Sequence, residues 1–420
     1  MELIDLMNMK SIAKKILNSR ILRTFGISLV NYDLLQYTKH YLWIFNLGKV
    51  TRLAVTHNPI KEVTRDDLQL CERLISAYHK ATSDRAEISK RTSELWAKGI
   101  EQHYGKLEAA LESRHPDKLA AILASMFQEG FVYGLASGDL IEHSFSRIGS
   151  KIWSLKYQDN VVSLAEYLGV VRAESTQQGV KAYGLKDGLD AVVAKIEDAL
   201  GISMDFPDVG ASYGVKANRA LITMEHPEHV YVALRIHCAV RDYLSDRNGK
   251  NLDLMEIGAG VGSLAYWIVK LQRTAVHTYT IIDLPIVNVM QGYFLSKALG
   301  VSKVSLYGEP AVEDAVMFVF PTVATDSMVR QDFDVLINQN SMPEMSERIV
   351  ENYIRFAKNR VSGIFFSYNH EAYSIVYGKP QVLVPEVVAR VKGFQRLSRN
   401  ASWVRSGYVE ETYKVVDRYA

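Results

Sequence analysis

Three glycines and one aspartate carry the most chemical information in this chain. Leu252, Leu254, Met255 and Ile257 form an apolar run, and Gly258, Gly260 and Gly262 follow at alternate positions. Leu264, Ala265, Ile268 and Leu271 then recur at helical spacing. This is the order of a buried parallel strand, a glycine turn and the opening of a helix. Small residues in such a turn let the backbone approach a ligand closely, which suits a nucleotide-like molecule. A dinucleotide fingerprint places glycine at the first, third and sixth positions; here the sixth is Ser263 and glycine falls at the fifth. A second β-branched run, Thr278 to Ile282, ends in Asp283, 25 residues after Gly258. A carboxylate at the tip of the second strand is where nucleotide folds bond ribose hydroxyls. The turn alone would equally serve as a plain strand-to-helix connection. The turn followed by Asp283 favours ligand binding. Leu284 and Pro285, next in line, suit the start of a helix.

Two polar clusters follow later strands. Phe333 to Ile337 reads as a buried strand and is followed by Asn338, Gln339, Asn340, Ser341, Met342, Pro343 and Glu344. Val361 to Ser367 is followed by Tyr368, Asn369, His370 and Glu371. Amides, a hydroxyl, a histidine and carboxylates beyond buried strands are not core residues. Helix capping competes with ligand contact here, because Asn340 or Ser341 can cap the next helix with Glu344 completing a capping box.

The elements that must position these residues divide the chain in two. Residues 64 to 82 begin with Thr64 as N-cap and Asp66 and Asp67 in the first turn, with Leu68, Cys71, Leu74, Ile75 and Tyr78 at helical spacing. Similar patterns recur at 93 to 112, 116 to 127 and 187 to 200, which predicts a helical front domain over 1 to 227. Trp96, Tyr104 and Trp153 read as packing aromatics, with pocket lining as the alternative. Residues 203 to 227 hold the breakers Pro207, Gly210, Gly214 and Pro227 and read as a loop suited to act as a lid. Tyr213, Lys216 and Arg219 are its substrate-contact candidates, against a solvated connector. From 228 onward strand and helix alternate: a helix at 228 to 245, strands at 252 to 257, 278 to 282, 303 to 307, 333 to 337 and 361 to 367, and helices at 286 to 299 and 346 to 359. That is an open parallel sheet whose ligands gather at the carboxyl ends of its strands. Runs at Gln395 to Arg399 and Tyr408 to Val416 predict an antiparallel terminal pair.

Composition bounds the partners. The 420 residues hold 49 basic and 47 acidic side chains, so no overall field argues for nucleic acid. Cys71 and Cys238 stand far apart, which fits a reducing compartment and excludes a cysteine metal site or a disulfide framework. No secretory signal and no membrane-length apolar window is visible, so a cytoplasmic protein is expected. Residues 10 to 30 join Lys10, Lys14, Lys15, Arg20 and Arg23 to Ile12, Ile16, Leu17, Ile21, Leu22 and Phe25 with no acidic residue. Such a helix either lies on an anionic membrane at the inner face or packs its apolar stripe on the front domain or on a second copy.

The spacing E-x-G-x-G-x-G from Glu256 to Gly262 resembles that of S-adenosylmethionine-dependent methyltransferases. EIGAGVGSLA, YTIIDLP, INQNSMPEM and FFSYNHEA, in this order, resemble the bacterial sugar O-methyltransferase family over about residues 228 to 372. The N-x-x-S-M-P-E-M segment is the more specific part, with Met342 where the family usually has an aromatic. The resemblance implies an α/β fold with a class I methyltransferase Rossmann-like sheet, mostly parallel with an antiparallel terminal strand, behind a helical N-terminal domain. It implies S-adenosylmethionine as cofactor in a domain over 228 to 420, held by Glu256, Gly258, Ala259, Gly260, Gly262, Asp283, Leu284, Asn338 and Asn340. Ser341 and Asn369, with Tyr213 and Arg219 of the front half, are expected to contact a sugar or glycan that is free, nucleotide-linked or lipid-linked. IIDLP is also similar to plant-type small-molecule O-methyltransferases, which carry a catalytic histidine just after the fourth strand; Asn340 stands nearest that position here.

Methyl transfer to oxygen needs alignment, exclusion of water and a base for the hydroxyl proton. His370 is the first candidate, with Glu371 to orient it; Glu344 is the second; and a structural His370 is a third reading. With no compact Asp-rich set, no metal is expected. The contrasting class is a cofactor-binding scaffold without catalysis.

Overall fold

The computed structural model describes residues 52–83, 85–132, 134–136, 138, 150–172, 187–247, 250–310, 312–328, 332–371, 375–376 and 379–416. The basic segment 10–30 lies outside them. In the front half, β1 (Val55–His57) precedes helices α1 (Arg65–Ala81), α2 (Arg85–Arg91), α3 (Glu94–His103), α4 (Gly105–Ser113), α5 (Pro116–Leu123), α6 (Ser150–Tyr167) and α7 (Leu189–Leu200). A hairpin of β2 (Tyr213–Ala217) and β3 (Ala220–Ile222) leads into α8 (His226–Tyr243). The back half runs β4 (Leu252–Ile257), α9 (Ser263–Leu271), β5 (Val276–Asp283), α10 (Pro285–Leu299), β6 (Val304–Leu306) and β7 (Met317–Pro321). It continues through β8 (Phe333–Gln339), α11 (Glu347–Arg360), β9 (Val361–His370), α12 (Val384–Val391), β10 (Phe394–Ala401) and β11 (Tyr408–Val415).

The large sheet has the order β10-β11-β9-β8-β4-β5-β7-β6. Its strands from β6 to β9 are parallel, β11 runs antiparallel to β9, and β10 antiparallel to β11. These are the order and directions of the class I methyltransferase sheet, with β6 added at the edge. β4 sits at its centre because both its faces are buried: Leu252 and Leu254 join one core cluster, Met255 and Ile257 the other.

The front half shares the first of those cores, from Leu70 of α1 to Phe294 of α10. Thr64 caps α1 in a capping box with Asp67, as the sequence predicts. Asp67 then accepts from Lys297 of α10 at 2.6 Å. Arg73 reaches the Glu309 carboxylate at 2.6 and 2.8 Å and the Val304 carbonyl at 2.9 Å. The helical half is thus packed against the edge of the sheet by charge as well as apolar contact.

Three expectations change. The pattern over 93–112 is two helices meeting at Tyr104, and that over 116–127 ends at Leu123 before a short 3-10 turn, Met126–Gln128. The lid loop at 203–227 instead contains a buried hairpin over 213–222, β2 and β3, completed by β1 into a three-stranded antiparallel sheet. Asn218 and Arg219 between its strands have φ of 47° and 68°, the two positive values of a type I′ hairpin turn. Gly214, read as a breaker, lies inside β2, where a Cβ would come within 2.5 Å of the Ile222 carbonyl oxygen. Finally, β7 was not anticipated; it lies between β5 and the short β6.

Arg235 of α8 donates from Nε and Nη2 to Glu410 of β11 at 2.7 and 2.7 Å, and Glu410 is 1% exposed. Arg235→Met leaves that carboxylate buried and unpaired, at an expected cost of about 3 kcal/mol in stability. The urea midpoint should fall, and adding Glu410→Met should recover part of it.

Candidate functional site

The strand order reverses at β4, whose successor β5 lies on one side while β8 lies on the other. The connections leaving the carboxyl ends of β4 and β8 diverge there and leave a crevice. The glycine turn lines one side. Gly258 and Gly260 have φ of 70° and 57°, which side chains rarely adopt. A Cβ on Gly258 would lie 2.2 Å from Ser341 Oγ, and one on Gly260 would lie 3.3 Å from the Leu135 carbonyl oxygen. Gly262, also at positive φ, begins α9.

Asp283, half-buried at the end of β5, faces that turn. Its Oδ2 accepts from the Ala259 N–H at 3.1 Å and the Gln291 amide at 2.7 Å, and its Oδ1 accepts from the Leu284 N–H at 2.8 Å. Oδ1 keeps a lone pair for a ligand hydroxyl. Gln291 also donates to the Gly260 carbonyl at 2.9 Å, so one side chain of α10 ties acid to turn. Burial raises the Asp283 carboxyl to about 6. Glu256 lies beneath, 1% exposed, accepting from the Tyr279 hydroxyl at 2.8 Å, and burial raises it to about 8. Leu284 is buried beside Asp283.

Asn338 needs correction as a cofactor contact. Its Nδ2 donates to the Ile257 carbonyl at 2.8 Å and to Ser341 Oγ at 2.5 Å, while its Oδ1 accepts from Asn369 at 3.0 Å and from the Met342 N–H at 3.4 Å. Every donor and acceptor site of that amide is used, so it clamps β4, β8 and β9 together. Ser341 donates to the Ile257 carbonyl at 3.0 Å and braces Gly258 from behind. Neither Asn340 nor Ser341 caps α11, which starts at Glu347, and Glu344 ends a 3-10 turn.

Other amides stay open. Gln339 Nε2, Asn340 Oδ1 and Asn369 Oδ1 are buried with no partner. All three sit at the carboxyl ends of β8 and β9. Asn340, at φ 62°, turns its Nδ2 to Glu228 of α8 at 3.1 Å.

The two base candidates differ in surroundings. Burial raises Glu344 to about 7, opposed by a hydrogen bond from Trp96 of α3 and by the charge of Arg405. His370 ends β9 with its ring centre 5.7 Å from that of Tyr408. Glu371 is engaged by Arg399, which donates to it from Nη1 and Nη2 at 2.6 and 2.6 Å.

Of the front-half candidates, Tyr213 reaches the site and Arg219 does not. Tyr213, Thr223, Glu225 and His229 line a small cavity of about 20 Å³ that also touches Val261 and Ser263 at the start of α9. Arg219 lies in the exposed hairpin turn at the far end of β2, next to Asn218, which is bonded to Asp190 and Glu197 of α7. Sequence reading missed Gln291, Glu228 and Arg405. Gln291 carried a signal, a polar residue within the apolar run of α10; the other two did not.

The buried acids set a pH response. Between pH 6.5 and 8 the folded state keeps protons on Glu256 and Glu344 that the unfolded chain has lost, so stability falls as pH rises. His226 and His229, lowered by burial, act with the opposite sign but below their ordinary value of 6.5. Urea unfolding of the ligand-free protein should therefore show decreasing stability from pH 6.5 to 8, and Glu256→Gln should flatten the slope.

No family model and no curated protein matches the sequence. Among solved structures the chain is similar to TnmH, at 12% identity over 46% of this chain and 58% of that one, TM-score 0.30. It is similar to the magnesium protoporphyrin IX methyltransferase of Synechocystis with bound SAH, at 11% identity over 45% and 84%, TM-score 0.33. An O-methyltransferase family 2 protein of Planctomyces limnophilus in complex with apigenin matches at 9% identity over 45% and 61%, TM-score 0.31. The chain spans less than two thirds of TnmH and of the Planctomyces protein. With TM-scores this low, the fold assignment rests on the strand order and directions described above.

Proposed function

We propose that this chain is an S-adenosylmethionine-dependent O-methyltransferase acting on a hydroxyl of a sugar or glycan. The observation that carries the reading is the crevice at the sheet reversal, with the glycine turn and Asp283 on one side and the Glu344 carboxylate on the other. Gly258, Gly260 and the backbone of Ala259 would admit the cofactor closely, and Asp283 Oδ1 would bond its ribose. When bound, the cofactor supplies an electrophilic methyl group on a sulfonium. Glu344 takes the acceptor hydroxyl proton as the new carbon–oxygen bond forms, and passes it to solvent. A carboxyl near 7 suits this role because it is ionised at working pH yet basic enough to accept a proton.

The sugar part of the reading is supported by the N-x-x-S-M-P-E-M segment from Asn338 to Met345. Incubation with methyl-labelled cofactor and a glycan extract of the host, followed by mass analysis, should place the label on a sugar hydroxyl. Label only on a phenolic or other small product would overturn the sugar assignment. Failure to bind the cofactor at millimolar concentration would overturn the enzyme.

A further inference from the structure

Arg405 carries a guanidinium whose best anion-binding edge is unused. It lies in the turn between β10 and β11, three residues before Tyr408, which pairs with His370 at the carboxyl end of β9. That places it on the ligand edge of the sheet. Its Nη1 donates to both oxygens of Glu228 at 3.2 and 2.9 Å, and its guanidinium carbon stands 4.0 Å from the centre of the Tyr408 ring. These contacts fix the plane of the group. Neither uses Nε and Nη2, the two parallel donors that match a carboxylate or phosphate bidentately. In Arg73 and Arg235 that same edge is taken by Glu309 and Glu410. In Arg405 no described residue takes it, and the side chain is 42% exposed.

A second cation stands nearby. Lys156 of α6 places its ammonium 5.0 Å from the centre of the Trp153 ring, and the charges of Arg405, Glu225 and Glu228 act on it. Among the described residues it has no ion-pair partner. Glu228, the acid shared by this group, is already engaged by Arg405 Nη1 and by Asn340. The charge of Arg405 also acts on Glu344, the proposed base.

We propose that Arg405, assisted by Lys156, binds an anionic group of the acceptor, a carboxylate or a phosphate, and so selects acidic or phosphorylated sugars over neutral ones. This rests on the methyl-transfer reading and narrows its acceptor. The test is calorimetric titration of the full chain, saturated with S-adenosylhomocysteine, with glucose, glucuronate and glucose 1-phosphate. At least one anionic probe should bind about 10-fold tighter than glucose, and the arm that does so identifies the anion. Arg405→Met should abolish that preference while affinity for S-adenosylhomocysteine stays within about 2-fold. Because Arg405→Met strands Glu228, the charge-balanced Arg405→Met/Glu228→Gln variant is measured beside it and should lose the preference too. Equal binding of all three probes to the parent, or a preference that survives in the double variant, overturns the proposal. If S-adenosylhomocysteine itself fails to bind the parent, the methyltransferase reading falls instead.

Discussion

Replacing Glu344 by glutamine should slow methyl transfer by a factor of about 10² or more and leave cofactor affinity unchanged. The substitution keeps shape and an acceptor for the Trp96 indole, but removes the group that takes the hydroxyl proton. The pH profile separates this from mere disturbance of the pocket. A base must be ionised, so turnover of the parent should rise through about pH 7, the value to which burial lifts Glu344, and the variant should lose that rise. His370→Ala should slow turnover less, since the carboxylate expected to orient His370 is engaged by Arg399. If His370→Ala is the more damaging of the two, the role returns to the histidine.

Loss of Asp283, the proposed ribose-binding acid, is the second large effect. Asp283→Ala should weaken binding of S-adenosylhomocysteine by about 1 to 3 kcal/mol, since it removes charge-assisted bonds to the ligand. It also releases Gln291 and the N–H groups of Ala259 and Leu284, so part of the loss is a turn less firmly held. Gly260→Val should abolish binding outright, because its side chain would occupy the narrow space under the Leu135 carbonyl at a backbone angle valine resists. Titration calorimetry reads both, and far-ultraviolet circular dichroism checks that the fold persists. Parental affinity in both variants would mean the pocket is elsewhere.

What could be read from sequence was local. The Thr64 cap, the three glycines and the acid ending β5 each announce themselves within a few residues, and all sit where their spacing implies. Residues whose partners are distant in the chain were less legible. Asn338 has the chemistry of a ligand contact, but its amide is saturated partly by a carbonyl 81 residues earlier. Glu371 stands next to His370 in sequence yet pairs with Arg399, 28 residues on. The hairpin of β2 and β3 was hidden by Gly214 inside it and by Pro207, Gly210 and Pro227 on either side, although Asn218 and Arg219 occupy its turn. Arg405 and Glu228, 177 residues apart, meet only because β11 returns beside β9 and α8 lies across the sheet.

The proposed base and the glycine turn both touch the helical half: Trp96 of α3 bonds to Glu344, and the Leu135 carbonyl stands over Gly260. Recombination between relatives is therefore constrained at the junction of the two halves. A chimera that joins this sheet to a foreign helical half would inherit a different neighbour for its carboxylate, and so a different working pH. The turn between β10 and β11 is tied to the same carboxylate, because the charge of its Arg405 acts on Glu344.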